Sequence, residues 1–415
     1  MKATSVPVTS CQICGSKKLS SIIFVGYIPP VNTMPSIGVP PVEEPSFPLE
    51  LLRCGDCGLV QIGLVVSQEV LFPESYPYLS GSTRILRDNF ANQYREVVEI
   101  VGLDGNDLVV DIGSNDGTLL NNYYKAGHPV LGIEPSQAAD VAISRGIRTW
   151  KTYFDLETAK RVRQEFGPAK VVTACNVFAH IADVHTIVDG IVTMLGNDGV
   201  FVSESHYLVD LVETLQYDTI YHEHLRYYHL GVLIRLLHEH DLEVFHVRRI
   251  PTHGGSIRVF AGRKGLRAIM PSVTECLARE DALGITDGRA LANFRKRVIT
   301  SKLELYALLA PIKAAGARVY GIGAPSRAST LINYVGLDDG VLDVVMEVST
   351  SNKLNKYIPG TRIPVLDESK LFEDQPEYAL LLSWHIADEL VPILRKKGFR
   401  GRFIVPLPKP RVIDQ

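Results

Sequence analysis

The sequence predicts an α/β protein in which a small cysteine-bearing module precedes two units of alternating strands and helices. Three observations carry that expectation. Two Cys-x-x-Cys pairs, Cys11/Cys14 and Cys54/Cys57, stand near the N-terminus. A short β-branched run, a glycine-bearing turn and a helix start follow one another at 107–120, and the same scheme returns at 318–330. Around both, short apolar runs alternate with helical stretches, the pattern of parallel sheets with helices on their faces.

With 415 residues, 46% apolar and 21% charged, the chain has material for more than one core. Its 43 basic and 46 acidic side chains leave a net charge of −3. Such a balance builds no field that would draw nucleic acid or an anionic membrane, and neither is expected as a partner. No apolar run reaches the roughly 18 residues of a membrane-spanning helix. Residues 1–10 hold no apolar core of a secretory signal, so the expected compartment is the cytoplasm, where disulfides are rare.

In each cysteine pair the two-residue gap lets both thiolates meet one ion, and Gly15, Gly55 and Gly58 suit the tight turns this needs. Four thiolates around a tetrahedral cation make a structural zinc site, closed to substrate. A redox Cys-x-x-Cys is the competing reading, and two pairs at one spacing in one short segment favour zinc. Residues 28–48 are proline-rich and expected to be extended. A zinc ribbon often binds nucleic acid, but here Lys2, Lys17, Lys18 and Arg53 are opposed by Glu43, Glu44, Glu50 and Asp56, so the module reads as a scaffold or a lid. Cys175 and Cys276 stand alone and read as inert thiols.

Residues 107–120 predict a buried strand, a turn carrying Asp111, Gly113, Asn115 and Gly117, and a helix. A second strand at 129–135 ends in Glu134, 23 residues beyond Asp111, where a Rossmann-like unit places a carboxylate on ribose hydroxyls. Further strands are expected at 170–174 and 199–203, with helices near 138–145 and 185–195. The turn is not Gly-x-Gly-x-x-Gly: Asn115 stands where a dinucleotide fold has its second glycine. Asp-x-Gly-x-x-x-Gly with a later Glu is instead the pattern of class I S-adenosylmethionine-dependent methyltransferases.

The stretch 216–229 holds four tyrosines, three histidines, two acids and an arginine. It is too polar for a core and too aromatic for a solvated face. Tyr, Glu and His within mutual reach form a set able to take a proton from carbon beside a carbonyl. His222 and His224 could instead hold a metal, but no third ligand stands at a convincing spacing. Asn176 and His180 follow a strand's C-terminal end, where ligands of open α/β sheets collect. Tyr76 lies in a proline-bearing loop between the cysteine module and the first sheet.

In the last part, His253, Gly254 and Gly255 precede a strand at 257–261, a long helix is expected at 289–315, and Gly321, Gly323, Ser326 and Arg327 lie at the second glycine turn. Free backbone N–H groups at a helix start, with a guanidinium nearby, suit an anion. Strands at 342–346 and 378–383 complete what reads as a smaller sheet. His253 and His385 could reach one cleft.

In this order the features resemble the three-domain C-methyltransferases of nucleotide-linked deoxyketosugars. The marks are the two cysteine pairs, Tyr76-Pro77-Tyr78, the turn from Asp111 to Gly117, Asn176 to His180, Tyr221 to His224, His253 to Gly255 and Gly321 to Ala324. The resemblance implies a zinc-binding module (1–73), a central class I methyltransferase domain with a Rossmann-like doubly wound sheet (74–248), and a C-terminal Rossmann-like α/β domain (249–415) that helps hold the substrate. It implies S-adenosylmethionine at Asp111, Gly113, Asn115, Gly117, Glu134 and Asn176. It implies a dTDP- or GDP-linked 4-ketohexose near His253, Gly255, Gly323, Ser326 and Arg327, and a monomer or weak homo-oligomer. His224 would take the proton beside the ketone, Glu223 would orient His224, and Tyr76, His180 and Tyr221 would serve the enolate oxygen. Methyl transfer would follow in line, with inversion and without metal. An O- or N-methyltransferase is the alternative class, and a binding module without catalysis a further one.

Overall fold

The computed structural model describes residues 4–40, 42–71 and 79–414. Its central sheet has seven strands in the order Leu242–Ile250, Ser256–Arg263, Leu195–His206, Ala169–Cys175, Val109–Ile112, Val130–Ile133 and Thr149–Trp150. The last five run parallel, and the first two form an antiparallel hairpin on the edge of Leu195–His206. Val109–Ile112 and Val130–Ile133 are buried at every position, as β-branched and apolar strands covered on both faces must be. Connections leave Val109–Ile112 to one side and arrive on the other, so a crevice opens beside its C-terminal end, the usual ligand position of such sheets.

Ser256–Arg263, grouped by the sequence with the C-terminal unit, pairs with Leu195–His206 and so belongs to the central sheet. The expected boundary at 248 falls inside this hairpin. The cause is local: residues 251–255 form a short turn that returns the chain antiparallel, whereas the sequence reading took its glycines as the opening of a new unit.

The C-terminal sheet also has seven strands, in the order Lys356–Tyr357, Pro364–Asp367, Val344–Glu347, Val319–Ile322, Tyr378–Leu381, Arg402–Val405 and Arg411–Ile413. It is not smaller than the central one, because four short strands with little periodic signal flank the expected three. Here too the connections part beside one strand, Val319–Ile322. The helix Arg289–Ala314 buries Leu291, Phe294, Val298, Leu305 and Leu309 on one face at helical spacing, and packs on Ser326–Val335, Leu19–Ile28 and Leu208–Glu213. It thereby ties all three parts of the chain together.

The N-terminal module is an antiparallel sheet of Leu19–Ile28, Phe47–Cys54 and Val60–Ile62. Its fourth strand is Arg226–Tyr227, which pairs with Val60–Ile62 and comes from the chemically unusual stretch. The module therefore shares a sheet with that stretch. Among the described residues, no helix is long and apolar enough to cross a membrane.

Candidate functional site

A cavity of about 980 Å³ lies where the C-terminal ends of both parallel sheets face each other. From the central sheet it takes Ile112, Gly113, Asn115, Glu134, Asn176, His180 and His206. From the C-terminal part it takes Ser326, Arg327, Lys353 and His385, and between them stand Thr219, Tyr221, Glu223, His224 and His253.

At the central end the glycine turn is bent by backbone conformations that few side chains allow. Gly113 has φ +69°, and a Cβ there would lie 2.6 Å from Val177 Cγ2. Asn115 and Asn176 hold φ +48° and +58°, the region that asparagine tolerates best after glycine. Glu134 is anchored by two backbone N–H donors, Asn115 at 3.0 Å and Ser136 at 2.9 Å, one to each carboxylate oxygen. Each oxygen keeps lone-pair capacity for a ligand hydroxyl. Asn176 Oδ1 is buried without a partner among the described residues, an acceptor aimed at the same end. Phe90, Ile133, Pro135, Phe154 and Ile187 supply apolar wall. Hydroxyl acceptors, an amine acceptor and an apolar slot match the ribose, amino group and adenine of S-adenosylmethionine.

Asp111, Gly117, Gly255 and Gly323, expected at ligands, stand behind the cavity wall. Asp111 is buried against Thr173, whose hydroxyl donates to it at 2.6 Å, and burial pushes its carboxyl up to about 7. Gly117 lets the turn pack on Ala142 and Ile147, a Cβ at Gly255 would strike the Asp210 carboxylate, and one at Gly323 would strike Ser383. All three glycines serve close approach within the fold. Tyr76 lies outside the described residues.

In the middle of the cavity the rings gather around His224. Ring centres lie 4.1 Å away at Tyr221, 5.0 Å at His180 and 5.1 Å at His206, and His253 lies 5.4 Å beyond His206. His224 Nδ1 meets the Thr219 carbonyl at 2.9 Å. Glu223, expected to orient this ring, does not hold Nδ1; its Oε1 accepts instead from Asn32 Nδ2 at 2.7 Å. Neighbours in sequence diverge here because the turn at 221–224 directs the two side chains apart. Burial pushes His224 down to about 3, with His180 adding in the same direction, and burial likewise lowers His180 and His253 to about 4. At neutral pH these rings are uncharged.

Arg327 lines the cavity, but its expected role toward an anion is altered. Its Nε and Nη2 donate to both oxygens of the fully buried Asp218, each at 2.8 Å. Ser326 donates to Asn32 Oδ1 at 3.1 Å. Lys353 also lines the cavity beside this loop; its ammonium donates to the Ala324 carbonyl at 2.7 Å, and burial lowers its affinity for the proton. Sequence reasoning missed Lys353, Asn32 and His206. Of these only His206 had a local signal, its place at the C-terminal end of a central strand.

The four cysteine sulfurs lie within 4.8 Å of one another, with Cys11–Cys57 at 3.5 Å and Cys14–Cys54 at 3.6 Å, and none forms a disulfide. A tetrahedral ion bonded at about 2.3 Å to each sulfur sets them about 3.8 Å apart, so the cluster fits zinc.

Comparison with known proteins divides the chain into three parts, with the break between the second and third falling inside the hairpin of Leu242–Ile250 and Ser256–Arg263. Residues 11–72 match a zinc binding domain, 87–247 a methyltransferase domain and 251–408 the C-methyltransferase C-terminal domain. The chain is 34% identical over 413 residues to the C-methyltransferase NovU of Streptomyces niveus, covering 98% of this chain and 97% of that protein. Among solved structures, a methyltransferase from Anabaena variabilis overlays with TM-score 0.36 at 16% identity, over 46% of this chain and 89% of that one. Magnesium protoporphyrin IX methyltransferase from Synechocystis does so with TM-score 0.35 at 16% identity, over 43% and 83%. With a relative matched from end to end and each part of the fold represented, the chain belongs to the C-methyltransferases, S-adenosylmethionine-dependent enzymes carrying an N-terminal zinc-binding domain.

Proposed function

We propose that the chain methylates the carbon next to the ketone, C3, of a dTDP- or GDP-linked 4-ketohexose, with His224 as the base. The observation that carries this reading is the Thr219 carbonyl on His224 Nδ1. A carbonyl only accepts, so Nδ1 carries the proton and Nε2 keeps its lone pair, on a ring that lines the cavity.

The depressed affinity of His224 for protons leaves it neutral in the resting enzyme. Its protonation becomes favourable when an enolate forms beside it, so the interaction is strongest in the transition state. Tyr221 and His180, whose rings flank His224, donate to the enolate oxygen. Glu223 acts through Asn32 and Ser326, which join it to the loop holding the sugar nucleotide. Lys353 meets the diphosphate, taking the part first given to Arg327. S-adenosylmethionine, held by Glu134 and Asn176, supplies the electrophilic methyl group.

The test is incubation with dTDP- and GDP-linked 4-ketohexoses in deuterated water without methyl donor, read by mass spectrometry. Exchange beside the ketone is expected, and His224→Ala lowers its rate at least about a hundredfold. No carbon exchange for any sugar on the panel, with methylation at oxygen or nitrogen once S-adenosylmethionine is added, overturns the reading.

A further inference from the structure

The stretch that carries His224 is gripped from the C-terminal part of the chain. Asp218 sits in a three-residue turn, Tyr217–Thr219, and is fully buried. Its carboxylate accepts from Arg327 Nε and Nη2, each at 2.8 Å, and from Trp384 Nε1 at 2.7 Å. The guanidinium also lies 4.9 Å over the Trp384 ring and donates to Gln216 Oε1 at 3.2 Å. A second grip is the Thr330 hydroxyl on the Ile220 carbonyl at 3.1 Å. Between the two gripped residues stands Thr219, whose carbonyl fixes His224 Nδ1.

We propose that Asp218, Arg327 and Trp384 form a clamp that sets the tautomer of His224: the C-terminal part of the chain holds the turn, the turn aims the Thr219 carbonyl, and the carbonyl keeps the proton on Nδ1. The inference rests on the reading of His224 as base and assigns Asp218 and Trp384 as positioning residues for it. A buried carboxylate is tolerated only while paired, and bidentate pairing fixes direction as well as charge. If a donor is lost, the carboxylate must turn toward water, and the carbonyl one residue on turns with it. The imidazole then loses the acceptor that distinguishes its two nitrogens, and the proton moves to Nε2, the position from which no base can act. Tyr227 donates to the same Thr219 carbonyl at 3.3 Å, and within the turn Ile220 N–H donates to the Tyr217 carbonyl at 3.0 Å and the Thr219 hydroxyl to the Gln216 carbonyl at 2.8 Å; these bonds lie inside the stretch and turn with it, whereas the clamp anchors it to the C-terminal part.

The tautomer is measured directly on the full-length zinc-loaded protein with 15N-labelled histidine, His224 being assigned by difference from His224→Ala. Wild-type protein is expected to carry the proton on Nδ1. Trp384→Phe removes one donor and leaves the charge pair, and Asp218→Asn removes the charge. Both are expected to populate the Nε2–H form. Turnover of a 4-ketohexose nucleotide accepted by the wild type is expected to fall at least about tenfold in kcat, with KM within about threefold. Retention of the wild-type tautomer in both variants overturns the proposal, as does a loss confined to KM, which would make the group a substrate contact. Should Asp218→Asn fail to fold, Trp384→Phe alone decides. The spectrum needs no substrate, so it tests what holds the ring, while the His224→Ala exchange assay tests separately whether that ring is the base.

Discussion

His222 offers a measurement of how dry the stretch around the site is. Its side chain is 1% exposed, packed edge-on against Phe47, with Nε2 3.4 Å from the Pro48 carbonyl. Nδ1 is buried without a partner among the described residues, so a second proton would create a charge with no acceptor. Burial accordingly lowers its pKa to about 4. In the unfolded chain the same ring titrates near 6.5, so between these values the unfolded state binds the extra proton. Stability from this group is therefore fully present above pH 6.5 and is lost as pH falls toward 4. At pH 5 the loss is about 2 kcal/mol, and at pH 7.5 it is close to zero.

Other groups titrate in the same interval. Asp111, raised to about 7 by burial, acts in the opposite sense, stabilising as pH falls through 7. The comparison is therefore made between wild type and His222→Gln, which cannot titrate and shares all other groups. Urea unfolding at pH 7.5 and pH 5, followed by the fluorescence of Trp150 and Trp384, gives the stability difference at each pH. That difference is expected to shift by about 2 kcal/mol in favour of the variant at pH 5. A difference independent of pH would mean that His222 reaches water, and would refute the dry packing of this stretch against the zinc-bearing sheet.

Glu134→Ala is expected to weaken S-adenosylhomocysteine binding by about tenfold or more, the loss of charge-assisted hydrogen bonds, as read by calorimetry; unchanged affinity removes the carboxylate from the cofactor site. Gly113→Ala places a methyl group against Val177 at a backbone φ that alanine resists, and is expected to cost about 1–3 kcal/mol in chemical denaturation. Adding Val177→Ala relieves the contact but not the strain, so only part of the loss returns. Stripping zinc with a strong chelator is expected to raise hydrogen exchange at 225–228 before it touches Val109–Ile112, because Arg226–Tyr227 pairs with the zinc-bearing sheet. Equal protection of both segments after metal loss would separate the zinc site from the stretch that carries His224.

What the sequence made legible was local. Two cysteine pairs, two strand–glycine–helix schemes and the carboxylate at 134 each sit within a short window; the cysteine sulfurs gather in one cluster, both schemes form as strand, turn and helix, and Glu134 lines the cavity. What it hid was set by distant contacts. Glu223 stands beside His224 in the chain, so proximity suggested that it would orient the ring; the Thr219 carbonyl does so, and a backbone acceptor leaves no mark in a sequence. Arg327 follows a glycine turn and looked free for an anion, because its partner Asp218 is 109 residues away. The charge at 226 looked out of place in an otherwise aromatic stretch. In the fold it is fully buried and satisfied by Gln12 Oε1, by the Tyr228 hydroxyl and by the carbonyls of Phe178, Ile181 and Ala182.

These pairings explain why the stretch 216–229 can be both polar and buried. Each demanding group finds its partner in a different part of the chain: Asp218 in Arg327, Glu223 in Asn32, Arg226 in Gln12, and His229 in Glu280 at 2.9 Å. Apolar packing alone would leave such a segment free to slide, since contact between oily surfaces has little direction. Charge-assisted bonds have direction, and four of them on one short segment fix its rotation as well as its position. The cost is dependence. Without the zinc-bearing module, Arg226 and Glu223 lose side-chain partners; without the C-terminal part, Asp218 is a buried unpaired charge, which the interior does not tolerate. On the proposed reading, a base that must be neutral, correctly protonated and dry is assembled only when all three parts are folded, because the stretch that carries it pairs with the zinc-bearing sheet on one side and is held by the C-terminal part on the other.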